Sequence, residues 1–351
     1  MRVLIVDDSA FMRGAIARLL AADPRFEVAG QASDGEQAVR LTEALRPDVI
    51  TMDFNMPGLN GADATRAILA RCPARIVMLS AHTHEGAAAT VAALAAGAID
   101  FVAKPGGEVS PTLSEIKGEL TKKLLEAAGA RAPGTPAPEL PTATPRRRPP
   151  QTERSAPRSM PPGLRVVLIA SSTGGPAALV RVVPELKLGK DAALVIVQHM
   201  PIGFTAALAA QLSERSGFKV REASSGDRLQ AGVALVAPGG RHLLLERDGS
   251  VRLDESPPVH GVRPAADLTF KSAALAYGAR AVGVVLTGMG KDGALGLAAI
   301  KAAGGRTLAQ DRESSTVYGM PKAAAELGVV EEIAQLDRLG AIINRLVGST
   351  H

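Results

Sequence analysis

The chain has almost no cysteine. Cys72 is the only one in 351 residues, which excludes an internal disulfide and fits a reducing, cytoplasmic setting. Long apolar runs are missing too. No window approaches the roughly 18 residues a membrane-spanning helix needs. The first residues, "MRVLIVDDSAFMR", place two aspartates where a secretory signal would be apolar, so they do not read as one. Charge is modest at 21% against 46% hydrophobic residues, ample for sizeable cores and too apolar for wholesale disorder. The length suggests two domains on a prior of roughly 100–200 residues each. No internal repeat relates the two halves.

The net charge of +5 invites a nucleic-acid reading, but it is confined to one place. Residues 131–160 hold six arginines (Arg131, Arg146, Arg147, Arg148, Arg154, Arg158) against Glu139 and Glu153, a net +4. Ten prolines fall between Pro133 and Pro162. Such a stretch keeps neither helix nor ladder and has too few apolar residues to build a core, so it reads as an extended basic linker. The expected layout is a domain over 1–124, a linker over 125–163 and a second domain over 164–351.

In the first domain, short β-rich runs ("RVLIV", "EVAG", "DVITM", "RIVML", "IDFV") alternate with five segments of helical spacing. Five strands alternating with five helices argue a doubly wound parallel sheet, whose ligands gather at the carboxyl ends of the strands. Those ends carry Asp7 and Asp8, Asp53, Ser80, and Lys104 followed by Pro105. Each alone reads as a cap or a turn. Three converging carboxylates, however, repel unless a cation is present, and a hard divalent ion such as Mg²⁺ removes that conflict.

"VDDSAFMR", "MDFNMPGLNG", "LSAH" and "GAIDFVAKP" resemble the receiver domain of bacterial two-component response regulators, a flavodoxin-like fold. The resemblance implies that Asp53 accepts a phosphoryl group from a histidine kinase. It implies Mg²⁺ held by Asp8, Asp53 and the carbonyl of Asn55, with Asp7 helping through water. Ser80 and Lys104 would bind phosphoryl oxygens, and Phe101 matches an aromatic switch position.

The second domain alternates again and reads as another doubly wound α/β domain on a mainly parallel sheet. Strands are expected at 165–170, 192–199, 232–238, 281–288 and 306–310, helices at 176–186, 204–215, 265–277 and 292–303, and a hairpin at 241–255 turning at Asp248-Gly249. Three strand ends carry chemistry: Ser171-Ser172 in "SSTGGP", His199 in "QHMP", and Asp292 in "LTGMGKDGA". The glycine turn lacks the spacing and the lysine of a phosphate cradle. A hydroxyl, an imidazole and a carboxylate are instead the inventory of acyl transfer. On this reading either Ser171 or Ser172 can be the nucleophile.

"STGGP", "QHMPIGFT", "RPAADLTF", "LTGMGKDGA" and "YGMPKAA" resemble, in order and spacing, the protein-glutamate methylesterases of bacterial chemotaxis. The resemblance implies a second α/β domain that hydrolyses glutamate γ-methyl esters of chemoreceptors and deamidates receptor glutamines. No cofactor is implied for that reaction. Ser172 would be the nucleophile, His199 the base, Asp292 its orienting partner, and the N–H of Met289 an oxyanion donor. The unphosphorylated receiver would cover the catalytic face. Two departures stand out. Ala170 and Ser171 replace a glycine and an alanine, with Ala170 expected to tighten the pocket, and Ala265 stands where serine is expected.

A receiver-linked DNA-binding regulator is the alternative. Residues 164–351 are long for a helix-turn-helix and show no basic recognition helix, so neither nucleic acid nor membrane insertion is expected. A non-catalytic scaffold would have no need of serine, histidine and aspartate together.

Overall fold

The computed structural model describes residues 1–81, 84–104, 113–130 and 163–348. Pro105 and residues 131–162, with the arginine cluster, lie outside the described residues.

The first half runs β1 (Arg2–Val6), α1 (Ala10–Ala21), β2 (Glu27–Ala32), α2 (Gly35–Leu45), β3 (Val49–Asp53), α3 (Gly61–Leu69), β4 (Ile76–Ala81), α4 (His84–Ala95), β5 (Asp100–Lys104) and α5 (Leu113–Gly129). The strands pair in parallel in the order β2-β1-β3-β4-β5. β3 is buried at every position because helices cover both faces, so its sequence is apolar up to Asp53 except at Thr51. Polar residues start the helices. Ser9, Asp34 and Asn60 each accept backbone N–H bonds of the turn that follows, and replacing one by alanine costs about 1 kcal/mol. Strand order reverses between β1 and β3, which opens a crevice at their carboxyl ends.

The second half runs β6 (Arg165–Ser171), α6 (Gly175–Val182), β7 (Ala192–Gln198), α7 (Phe204–Arg215), β8 (Lys219–Glu222), β9 (Val233–Val236), β10 (His242–Leu245), β11 (Val251–Asp254), α8 (Ala266–Tyr277), β12 (Ala281–Val285), α9 (Ala294–Ala302), β13 (Arg306–Gln310), α10 (Met320–Glu326), β14 (Glu332–Ala334) and α11 (Leu336–Gly348). Seven strands pair in parallel in the order β14-β13-β12-β6-β7-β9-β8. The five expected strands fill the interior, and two short edge strands, β8 and β14, complete the sheet. β10 and β11 form the expected hairpin. All seven residues of β7 are buried, and each large apolar side chain there contributes roughly 1.5–3 kcal/mol. A charge at Val195 would break this strand first.

The halves touch. Helix α4 packs against α6 and α7, and the rings of Phe101 and Phe204 lie 4.4 Å apart between centroids, tilted by 31°.

Candidate functional site

β6 is flanked by β12 and β7, so the segments leaving their carboxyl ends are neighbours. Ser172 follows β6, His199 follows β7, and the turn after β12 leads to Asp292. His199 Nε2 lies 2.8 Å from Asp292 Oδ2, with the two side chains 9% and 3% exposed. An ionised carboxylate only accepts, so Nε2 carries the proton and Nδ1 is left to accept from a hydroxyl.

Asp292 is held from several sides. It accepts from the N–H groups of Ala266 (2.6 Å), Asp267 (2.9 Å) and Gly293 (3.0 Å). Burial alone would raise its pKa, but the His199 bond and charge and these backbone donors outweigh it. The carboxyl is held below the ordinary carboxylate range. Two of those donors are free N–H groups at the start of α8. Ala265, at the N-cap of α8, has no capping side chain. Asp292 supplies the acceptor from another element, so the alanine leaves no cap vacant.

The turn after β12 comes very close to Ser172. Ser172 N–H donates to the Thr287 carbonyl (3.1 Å). A Cβ on Gly288 would meet Ser172 Cβ at 2.8 Å and Met320 Sδ at 2.5 Å, so only glycine fits there. The "YGMP" segment backs this turn, with Gly319 and Met320 N–H groups donating to the Gly288 carbonyl (3.1 and 2.8 Å). The N–H of Met289 has no backbone acceptor among the described residues. Ser172, His199, Met289 and Asp292 line one cleft of about 460 Å³.

The two departures beside Ser172 do not reach that cleft. Ser171 is fully buried and its hydroxyl donates to Gln198 Oε1. Ala170 lies inside the apolar cluster with Ala266, Phe270 and Ala294. The expected tightening of the pocket by Ala170 is therefore corrected: β6 alternation turns its methyl into the core.

The opposite wall of the cleft belongs to the first half, including Asp100, Glu119 and Lys123. Asp100 Oδ2 accepts from the Thr173 hydroxyl (2.6 Å), one residue from Ser172. The Ile99 carbonyl accepts from Gly174 N–H (2.9 Å). Lys123 pairs with Asp100 (3.0 Å) and Glu119 (3.3 Å). Burial works against its charge, but these two acids outweigh it and raise its pKa.

In the other crevice, oxygens of Asp7, Asp8 and Asp53 lie within 4.8 Å of one another. Lys104 Nζ stands 2.8 Å from both Asp7 Oδ2 and Asp53 Oδ1. Burial raises the pKa of Asp53. Lys104 opposes that shift, while Asp7 and Asp8 add to it. Asn55 is exposed two residues beyond Asp53. The Ser80 hydroxyl donates to the Gly86 carbonyl (3.1 Å), and Phe101 is buried against Phe204 instead of facing the acids. Four of the expected residues thus come together, while Ser80 and Phe101 engage other partners.

Residues 167–343 match the CheB methylesterase family and residues 3–110 the response regulator receiver domain. The chain belongs to the CheB methylesterase family. A relative from Symbiobacterium thermophilum, named protein-glutamate methylesterase/protein-glutamine glutaminase, is 46% identical over 99% of this chain and 97% of that protein. One of the same name from Thermotoga maritima is 41% identical over 95% and 94%. The crystal structure of the Thermotoga maritima CheB methylesterase catalytic domain aligns with a TM-score of 0.50 at 39% identity, covering 53% of this chain and 99% of that one. The CheB methylesterase match spans the region that the alternative reading would assign to a DNA-binding output.

Sequence reading passed over Gln198, Asp100, Asp267 and His260. Asp267 accepts from His260 Nε2 (2.9 Å) and from Gly296 N–H (2.7 Å) beside Asp292. A lone glutamine ending an otherwise apolar strand was the one available signal.

Proposed function

We propose that the chain hydrolyses glutamate γ-methyl esters on chemoreceptors, releasing methanol, and deamidates receptor glutamines at the same site. The observation that carries this is the buried His199–Asp292 pair opening onto one cleft with Ser172. Ser172 Oγ attacks the γ-carbonyl carbon as His199 Nδ1 takes its proton. The Met289 N–H faces the developing oxyanion. The imidazolium, stabilised by Asp292, returns the proton to the leaving methoxide or amide nitrogen. Water, activated by the same imidazole, then cleaves the acyl-enzyme.

In this reading residues 1–124 are a receiver, 125–163 a linker (with α5 continuing to Gly129) and 164–351 the esterase. Asp53 accepts a phosphoryl group from a histidine kinase. The crowded carboxylates, faced by Lys104, fit a divalent cation. Asp8, Asp53 and the Asn55 carbonyl would hold Mg²⁺, with Asp7 assisting, and the ion would offset charge on the acids and phosphoryl oxygens. Ser80 and Lys104 respond to the phosphoryl group, and Phe101 relays the change. With the receiver walling the cleft through Asp100, phosphorylation favours an open arrangement. No helix among the described residues is long and apolar enough to cross a membrane, and we place the reaction in the cytoplasm.

Methanol release from methylated receptor tests this. Ser172→Ala abolishes turnover, and wild-type turnover in that variant refutes the assignment.

A further inference from the structure

Gln198 ends β7, and its side chain is bonded three times. Nε2 donates to the carbonyls of Ser172 (3.0 Å) and His199 (3.2 Å). Oε1 accepts from the Ser171 hydroxyl (2.7 Å). Carbonyls only accept, so the NH₂ group must face them, the amide oxygen must face Ser171, and the serine must donate. Backbone bonds close the set: His199 N–H donates to the Ser171 carbonyl (3.1 Å) and Gly175 N–H to the Ser172 carbonyl (2.7 Å). Gln198 is 2% exposed and Ser171 0%, so water does not compete for these groups. A Cβ on Gly175 would overlap Gln198 Oε1 and lie 2.9 Å from Ser171 Oγ. The glycine after the nucleophile thus makes room for this arrangement.

We propose that Ser171 and Gln198 form a clamp that sets the distance between nucleophile and base, a positioning device that rests on the assignment of Ser172 and His199 above. The clamp grips only main-chain carbonyls of the two catalytic residues. Ser172 Oγ and the imidazole stay free to react. Its need follows from the fold, because both residues lie just beyond the ends of their strands, where each keeps a backbone N–H bond to the neighbouring segment (Ser172 to Thr287, His199 to Ser171) while its carbonyl turns to Gln198. Misplacing such groups by about 1 Å costs roughly 10²-fold in rate. The hydroxyl of Ser171 acts through Gln198. Without it, Oε1 is buried unpaired and the amide loses one of the three bonds that fix its broad terminal torsion. This gives the second serine beside the nucleophile a task.

The test uses the full chain, with methanol release from methylated receptor measured at fixed Mg²⁺ and acetyl phosphate. Ser171→Ala lowers kcat about tenfold and Gln198→Met about 10²-fold, with KM held within about twofold in both. Because the serine works through the glutamine, the double variant is no slower than Gln198→Met alone. The rate at which a fluorophosphonate modifies Ser172 falls in parallel. Ser171→Ala removes a single oxygen from a strand position and keeps the fold, so its kcat decides even if Gln198→Met does not fold. Wild-type kcat in Ser171→Ala, or costs that multiply in the double variant, overturns the clamp. An inactive Ser172→Ala beside a fully active Ser171→Ala leaves the nucleophile assigned and removes the clamp alone, whereas an active Ser172→Ala removes both.

Discussion

Two carboxylate sites stand at the carboxyl ends of two parallel sheets, and they are held in opposite ways. Asp292 accepts three backbone N–H bonds and one from His199, so its charge is settled before any substrate arrives. Asp53 is buried beside Asp7 and Asp8 with Lys104 as counter-charge, so its charge is in conflict. A settled carboxylate suits orienting and steadying a base through every turnover. A conflicted one suits a switch, because adding or neutralising charge there displaces its neighbours.

The sharpest break of this contrast is at Asp292. Asp292→Asn turns an NH₂ group toward donors and inverts the preference of the imidazole, and we expect kcat to fall about 10⁴-fold, measured by methanol release. Next is Gly288→Ala, whose methyl pushes on Ser172 and Met320; kcat falls about 10²-fold with KM little changed. Asp100→Ala removes the bond to Thr173 and frees the cleft wall. Basal activity without phosphodonor rises about tenfold, in keeping with roughly 1.5–3 kcal/mol for a hydrogen bond to a charged group. Asp53→Ala keeps basal activity and loses activation by acetyl phosphate, and undiminished activation there would sink the regulatory reading.

The smallest effect is on stability. The folded-state pKa of Asp292 lies below its unfolded value. Its contribution is therefore complete above roughly pH 4 and is lost as pH falls through the folded value. The gap in melting temperature between wild type and Asp292→Asn narrows from pH 6 to pH 3. A constant gap would show that the charge of Asp292 is not what the backbone donors stabilise.

Interior strands were legible because burial on both faces makes them continuous apolar runs, as in "AALVIVQ". The edge strands "KVRE" and "EIA" are short and half polar, so periodicity cannot separate them from loops. Ser172 and His199 could be named because each follows a strand directly, and Asp292 because it lies in the glycine-rich turn that leads from β12 to α9. That Asp292 caps α8 could not, since its donors Ala266 and Asp267 belong to another segment and meet it only through tertiary packing. The same holds for Asp100, on β5, and Thr173, in the turn after β6, which belong to different halves of the chain.

β5 joins these observations physically. Ile99, Asp100 and Phe101 at its start touch the esterase half, while Lys104 at its end touches the acids. Four residue steps of extended chain span about 13 Å, so in the regulation proposed above a single strand is the whole length of the wire. Its message depends on parity. Inserting one residue between Asp100 and Lys104 would turn every later side chain to the other face of the sheet. Lys104 would turn away from the acids while Asp100 kept its place beside Thr173, and in that proposed regulation the two halves would no longer speak to each other.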